Sequence, residues 1–192
     1  YLLFYLTEAL GISPVIAGVC LLIPRLWDVV TDPIMGAISD KTKTRAGRRR
    51  PYLFVGAILL GFSFYFMFAV PAFESESAKI IYVTAMYVLA STAFTIYQVP
   101  YGAMVPEMSC DYKERVTLSG YKNVAARIGI LLSVTLGPYI FNSGENLAEG
   151  FESLGLFFGS LMLVTGLVGF FSTKKAPHVE ATSSQLDILS QL

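Results

Sequence analysis

The chain has 192 residues, of which 54% are hydrophobic and 15% are charged, and its mean hydropathy is +0.59. An ordinary soluble domain is excluded, because soluble domains carry about 25% charged residues. The formal net charge of zero gives no information about partners, so the positions of the charges along the chain matter more than their sum.

Five apolar runs are long enough to cross a hydrocarbon core, which takes roughly 20 helical residues. The predicted spans are 14–38, 52–72, 79–104, 118–141 and 152–172. The opening YLLFYLTEALG resembles the last turns of an earlier span, and residues 173–192 turn polar, as expected of a cytoplasmic connector. The sequence therefore predicts an all-α, polytopic membrane protein in the form of a piece of a longer chain.

Loop charges predict the orientation of these spans, because lysine and arginine concentrate on the cytoplasmic side. Residues 40–51 are strongly basic, whereas residues 142–150 carry only negative charge. The cytoplasmic side is thus predicted to hold residues 40–51, residues 106–117 and the polar tail. The acidic loop near residues 72–79 and residues 142–150 are predicted to lie outside.

The first predicted span contains RLWDVVTDPIMG, in which Arg25, Asp28 and Asp32 share one helical face. A charged side chain at the centre of a span costs about 2.5 to 3.5 kcal/mol, so this face is predicted to line a cavity or an interface. Two carboxylates one turn apart favour a bound cation or proton between them. The alternative is a structural Arg25–Asp28 ion pair with Asp32 capped by a neighbouring helix.

Pro33 and Gly36 predict a kink in this helix, and the carbonyl groups freed by the kink could help to bind an ion. Thr31 adds a hydroxyl group as a further candidate ligand. A set of oxygen ligands of this kind suits a hard monovalent cation, and it suits a proton equally well.

The next loop, GAISDKTKTRAGRRRPY, carries the strongest cluster of positive charge in the chain. One interpretation is a membrane anchor on the cytoplasmic side, and a nucleic-acid-binding patch is not expected between two spans. The other interpretation is a breakable latch, because Asp40 at a helix C-terminus is unfavourable unless an arginine meets it. The predicted latch, or cytoplasmic gate, comprises Gly36, Asp40, Arg48, Arg49 and Arg50.

Further candidates lie on the third and fourth predicted spans. Arg127 stands in an apolar stretch, where it could pair with one of the two aspartates or contact a substrate. The rings of Tyr97, Tyr101 and Tyr121 could stack on a sugar, or they could serve packing and interface anchoring. The serines lack a nearby base, so no catalytic set and no enzyme is predicted.

Two stretches carry a family resemblance: RLWDVVTDPIMGAISDKTKTRAGRRRPY at residues 25–52 and TIYQVPYGAMVPEMSCDYKERVTLSGYKN at residues 95–123. Both resemble the glycoside-pentoside-hexuronide:cation symporters of the major facilitator superfamily, the family of the melibiose carrier. The resemblance implies that residues 1–172 are the N-terminal transmembrane half, with the end of helix 1 and helices 2 to 6. Residues 173–192 would begin the cytoplasmic central loop, and the C-terminal half would be missing.

The resemblance also implies roles for individual residues. Asp28 and Asp32 would bind the coupling ion, sodium or a proton, and no other metal or cofactor is implied. Thr95 matches a threonine of that cation site, and Thr31 stands where the melibiose carrier has an asparagine ligand.

On helix 4 the chain departs from the melibiose carrier, because Gln98 replaces a sugar-binding aspartate and Gly102 replaces a stacking tryptophan. Asn123 takes the place of the family's helix 5 arginine, with Lys122 beside it. The predicted substrate-binding residues are Gln98, Tyr101, Lys122, Asn123 and Arg127.

The function implied is cation-coupled symport of a glycoside, pentoside or hexuronide across the cell membrane, with a sugar and the lipid bilayer as partners. The alternatives are a transporter of lipid or another non-sugar cargo in the same superfamily, and a membrane receptor or scaffold that does not transport.

Overall fold

The computed structural model describes residues 1–44, 47–104, 108 and 111–175. Within them, five helices are long and apolar enough to cross a membrane, which confirms the five predicted spans. These helices are α2 (Pro14–Lys41), α3 (Arg50–Phe68), α4 (Glu76–Met104), α5 (Tyr112–Phe141) and α6 (Leu147–Ser172). A short α1 (Leu2–Phe4), a π-helix (Tyr5–Ala9) and a 3₁₀ turn (Thr173–Lys175) complete the described secondary structure.

Three helix ends differ from the prediction by several residues. α3, which corresponds to the predicted span 52–72, ends at Phe68, before Pro71, whose ring disfavours helical backbone in the preceding residue. The fifth helix begins at Tyr112 because Asp111 caps it, with the Lys113 N–H donating to the Asp111 carboxylate at 3.1 Å. α6 begins at Leu147, so each of these two helices starts more than one turn earlier than hydropathy alone predicted.

The first residues of the chain pack into an aromatic cluster at one end of the helices. Tyr5 and Leu6 are fully buried, and the Tyr5 hydroxyl donates to the Phe68 carbonyl at 2.9 Å. Phe151 lies against both aromatic rings, with centroid distances of 4.9 Å to Tyr5 and 5.7 Å to Phe68. This cluster joins the N-terminal residues to α3 and α6.

The α3–α6 interface, formed by residues of Arg50–Phe68 and Leu147–Ser172, brings two antiparallel helices unusually close. A Cβ added at Gly159 would lie 2.8 Å from the Gly61 carbonyl oxygen, and one added at Gly166 would lie 2.6 Å from the Ala57 Cβ. Small residues permit this approach, which is typical of helix packing in membranes.

α2 and α5 pack less densely than α3, α4 and α6. α2 runs parallel to α4 along one face, and most of its remaining surface is exposed. In α5 only Gly137 and Phe141 are buried, and the Phe141 ring stacks on Phe151 of α6 at 4.9 Å. α2, which carries both aspartates, and α5 therefore lie outside the densest packing, whereas α4 packs closely against α3.

Some predicted features fall beyond the described residues. These include most of the connector at 173–192, which is described only to residue 175, and residues 106, 107, 109 and 110 of the loop at 106–117. The orientation of the helices with respect to the cytoplasm stays a prediction.

Candidate functional site

The α2–α4 interface, defined by Asp28, Asp32, Gly36 and Asp40 of α2 and the α4 residues that meet them, contains both predicted carboxylates. The Ser91 hydroxyl donates to Asp28 Oδ1, and the Thr95 hydroxyl donates to Asp32 Oδ1 at 2.7 Å. Both pairs have a sequence separation of 63, so the spacing of one helical turn on α2 is matched on α4.

The same separation continues toward the helix ends. A Cβ added at Gly36 would lie 3.9 Å from Val99 Cγ1, which places Val99 opposite Gly36. One turn further, the Arg49 guanidinium donates both to Asp40 Oδ1 at 2.7 Å and to the Ala103 carbonyl. The carboxylate pair and the predicted gate therefore lie on one continuous row of contacts between two parallel helices.

The two carboxylates differ in their surroundings. Asp28 lies 4.0 Å from Arg25, and the Asp28 side chain is 22% exposed while that of Arg25 is 74% exposed. Asp32 is exposed, whereas its partner Thr95 is buried. The predicted Arg25–Asp28 ion pair is thus at the outer limit of such contacts, and Asp28 is held more closely by Ser91.

The remaining α2 groups near the aspartates bond elsewhere. The Thr31 hydroxyl donates to the Trp27 carbonyl at 3.1 Å, one turn earlier on its own helix. The Trp27 indole N–H donates to the Thr92 hydroxyl at 2.9 Å. Thr31 therefore keeps two lone pairs as an acceptor, and Trp27 fixes the α2–α4 contact beside Asp28.

The α4 face that meets the carboxylates continues to the predicted substrate residues. Ser91, Thr95, Gln98 and Gly102 recur at helical spacing on one side of α4, and Gln98 is half-buried. Beyond them, the Lys122 ammonium group lies 5.4 Å from the centroid of the Tyr101 ring, within the range of a cation–π contact. The structure thus brings α4 and α5 together at Tyr101 and Lys122.

Of the tyrosines considered for sugar stacking, Tyr97 is committed to packing. Its backbone N lies 2.8 Å from a Cβ added at Gly56, and its hydroxyl lies 2.6 Å from one added at Gly169. The Tyr101 ring stacks on Tyr97 with a centroid distance of 5.8 Å. Tyr97 therefore supports Tyr101 from behind, while Tyr121 on α5 is exposed.

The structure leaves two predicted substrate residues apart from the rest. Asn123 and Arg127 are exposed on one face of α5. Within the described part of the chain, Arg127 forms no ion pair with Asp28 or Asp32. The alternative in which Arg127 neutralises one of the aspartates is therefore not what the structure shows.

The three gate arginines make different contacts. Arg48 and Arg49 both bind Asp40 Oδ1, at 3.1 and 2.7 Å, but the Arg49 side chain is 8% exposed and that of Arg48 is 47% exposed. Arg50 instead donates to the Phe170 carbonyl at 3.2 Å and lies 4.9 Å from the centroid of the Phe170 ring. Arg49 thus joins α2 to α4, and Arg50 joins α3 to α6.

Sequence reasoning missed Ser91 and the Trp27–Thr92 bond. A signal for Ser91 does exist, because Ser91 and Thr95 have the same four-residue spacing as Asp28 and Asp32. Without the register of the two helices, a serine in an apolar span gives no reason to be singled out.

Comparison with known proteins places the chain in a family. The whole chain, residues 1–192, matches the family described as MFS/sugar transport protein. A relative from Escherichia coli K12, named "Putative glycoside/cation symporter YagG", is 35% identical over 91% of the chain. The isoprimeverose transporter of Lactiplantibacillus pentosus is 26% identical over the full chain. The sodium-dependent lysophosphatidylcholine symporter 1-A of Danio rerio is 28% identical over 71% of it.

The chain spans 38%, 41% and 25% of the lengths of these three relatives, respectively. The predicted all-α membrane fold and the family resemblance are both confirmed. The chain belongs to the glycoside-pentoside-hexuronide:cation symporter group of the major facilitator superfamily, whose members reported above are named as transporters, and it is a multi-pass integral protein of the cell membrane.

Proposed function

We propose that the protein carrying this sequence is a secondary transporter that couples the movement of sodium or a proton to that of a glycoside, pentoside or hexuronide. The observation that carries the proposal is the pairing of Asp28 with Ser91 and of Asp32 with Thr95. Carboxylates within a membrane span are costly and by default indicate a functional site, and here the two carboxylates of α2 meet two hydroxyl groups of α4.

The hydroxyl partners favour a site for a cation. Each hydroxyl group donates its single proton to a carboxylate and keeps lone pairs that can accept or coordinate. Among the described residues, the nearest positive group to either aspartate is Arg25, which only borders Asp28. The pair therefore carries more negative charge than its protein partners offset, and a bound cation or proton would supply the difference.

The names of the relatives support coupling to a cation more strongly than they support a sugar as the substrate. Two of the three names specify a cation or sodium, although one of those proteins is named for glycosides and the other for a lysophospholipid. A sugar is favoured by the α4–α5 side of the site, where the Tyr101 ring and the Lys122 ammonium offer stacking and hydrogen bonds. Gln98, Asn123 and Arg127 are proposed to complete this substrate region.

The gate is proposed to respond to the cation site through the α2–α4 interface. Asp28, Asp32 and Asp40 lie on the same face of α2, and Arg49 binds Asp40 to α4. Gly36 lies between Asp32 and Asp40, about one helical turn from each. Movement of α2 against α4 would strain or release the contacts of Arg48 and Arg49 with Asp40.

The test is uptake by the full-length protein in proteoliposomes, with labelled glycosides, pentosides and hexuronides and with sodium and proton gradients imposed separately. We expect one gradient to drive accumulation, and we expect Asp28→Asn and Asp32→Asn to abolish that dependence. Glu74→Gln, in an exposed loop, is the matched control and should leave uptake unchanged. Coupled accumulation that survives both aspartate changes would overturn the proposal, and uptake of a lysophospholipid alone would replace the sugar with a lipid.

A further inference from the structure

We infer that Ser91 is a positioning residue that selects sodium for the carboxylate pair. The inference rests on the proposed function of Asp28 and Asp32 and adds a residue and an ion to it. Ser91 stands to Asp28 as Thr95 stands to Asp32, since each hydroxyl donates to the Oδ1 atom of an aspartate 63 residues earlier.

Ser91 decides which way the Asp28 carboxylate is turned. One Asp28 oxygen accepts from Ser91, and the other lies 4.0 Å from Arg25 Nη1. An arginine can take both oxygens of a carboxylate in a bidentate pair when nothing holds one of them away. The Ser91 bond therefore keeps Asp28 oriented toward α4 and limits its pairing with Arg25.

The arrangement favours sodium over a proton. A hard cation is held by several oxygen ligands at once, whereas a proton is carried by a single carboxylate oxygen. Ser91 and Thr95 bring two hydroxyl oxygens to two carboxylates, and both hydroxyls keep their lone pairs. A proton needs only one carboxylate oxygen, whereas sodium needs oxygens from both carboxylates, and the Ser91 bond holds Asp28 in a fixed orientation.

The neighbouring residue gives a matched control. Thr92 also has a hydroxyl group on α4, but that group accepts from the Trp27 indole and donates to the Val88 carbonyl. Loss of this hydroxyl removes an α2–α4 hydrogen bond without removing an oxygen from either aspartate. Thr92→Ala thus reports what a purely structural change at this interface does.

The experiment measures the melting temperature of the purified full-length protein across a sodium chloride series, with choline chloride holding ionic strength constant. A ligand that binds the folded state stabilises it by RT ln(1 + [L]/Kd). The sodium concentration at which this stabilisation reaches RT ln 2, here called the sodium midpoint, equals the dissociation constant and reports affinity independently of substrate. We expect Ser91→Ala to raise this midpoint by about tenfold, the effect of losing one hydrogen bond to a charged group. Ser91→Thr should restore the midpoint, and Thr92→Ala should lower only the melting temperature.

The outcomes separate this inference from the proposed function. If Asp32→Asn abolishes the sodium effect while Ser91→Ala leaves the midpoint unchanged, Ser91 has no positioning role and the carboxylate site stands. If the two aspartate variants keep the full sodium effect, the carboxylate pair is not the site and the proposed function fails. Should Ser91→Ala not fold, Ser91→Cys keeps the volume and replaces the oxygen, and it must raise the midpoint as well. A parent protein that sodium does not stabilise overturns the assignment of sodium.

Discussion

The α2–α4 and α3–α6 interfaces are built on opposite principles. The α3–α6 interface is held by close backbone approach, with Gly159 and Gly166 admitting no added Cβ without displacement. The α2–α4 interface is held by hydrogen bonds from Ser91, Thr95 and Arg49 to carboxylates and a carbonyl group. Packing of the first kind gives a rigid support, whereas contacts of the second kind can be exchanged for an ion or a substrate.

The largest effect is expected from breaking the α3–α6 interface. Gly159→Val should destabilise the protein by about 3 kcal/mol, because overpacking a tight contact forces the backbones apart. The measurement is the melting temperature and the yield of monodisperse full-length protein after extraction. Gly129→Val on α5 is the control, since no described atom lies within 4 Å of a Cβ added there. Equal losses of stability in Gly159→Val and Gly129→Val would contradict the conclusion that close packing at Gly159 supports the fold.

A smaller effect is expected where the α2–α4 interface reaches the gate. Arg49→Ala should cost about 2 kcal/mol, because a mostly buried guanidinium loses charged hydrogen bonds to Asp40 and Ala103. Arg48→Ala should cost about 0.5 kcal/mol, since that side chain is half-exposed and the pair is screened by solvent. Thermal unfolding of the two variants under one set of conditions compares them directly. A larger loss of stability for Arg48→Ala than for Arg49→Ala would contradict the assignment of Arg49 as the main arginine joining α2 to α4.

The smallest effect is expected from Arg25, which borders the carboxylate pair without a close contact. Arg25→Gln removes a positive charge 4.0 Å from Asp28 and should therefore lower the sodium midpoint, by about two- to threefold for a largely exposed group. The sodium series of melting temperatures measures this change. Lys41→Gln, an exposed change at the far end of α2, should leave the midpoint in place. A raised midpoint in Arg25→Gln would mean that Arg25 assists the cation.

The sequence was sufficient to predict the membrane fold and part of the site. Apolar runs of helical length predicted five spans because hydropathy depends only on local composition, and Asp28 and Asp32 were conspicuous within one of them. The starts of α5 and α6 were predicted too late, since a cap such as Asp111 adds helix that hydropathy does not detect.

Other features depend on tertiary packing and could not be predicted. Arg48, Arg49 and Arg50 are alike in sequence, yet Arg48 and Arg49 precede α3 and bind Asp40, whereas Arg50 begins α3 and contacts Phe170. The burial of Tyr97 follows from glycines on two other helices, Gly56 and Gly169. A role for Ser91 could be inferred only from its position opposite Asp28 in the structure.

The constant separation along the α2–α4 interface also fixes the alignment of the two helices. If α2 slid by one turn in either direction, one of the two aspartates would keep a hydroxyl partner, but the other would face Val99 or Tyr87 instead. Apolar helices in a bilayer have many nearly equivalent alignments, and a buried polar group discriminates among them. Ser91 and Thr95 therefore act together to fix the position of α2 along α4. A chain that lost both hydroxyls would lose the hydrogen bonds that align its aspartates with α4.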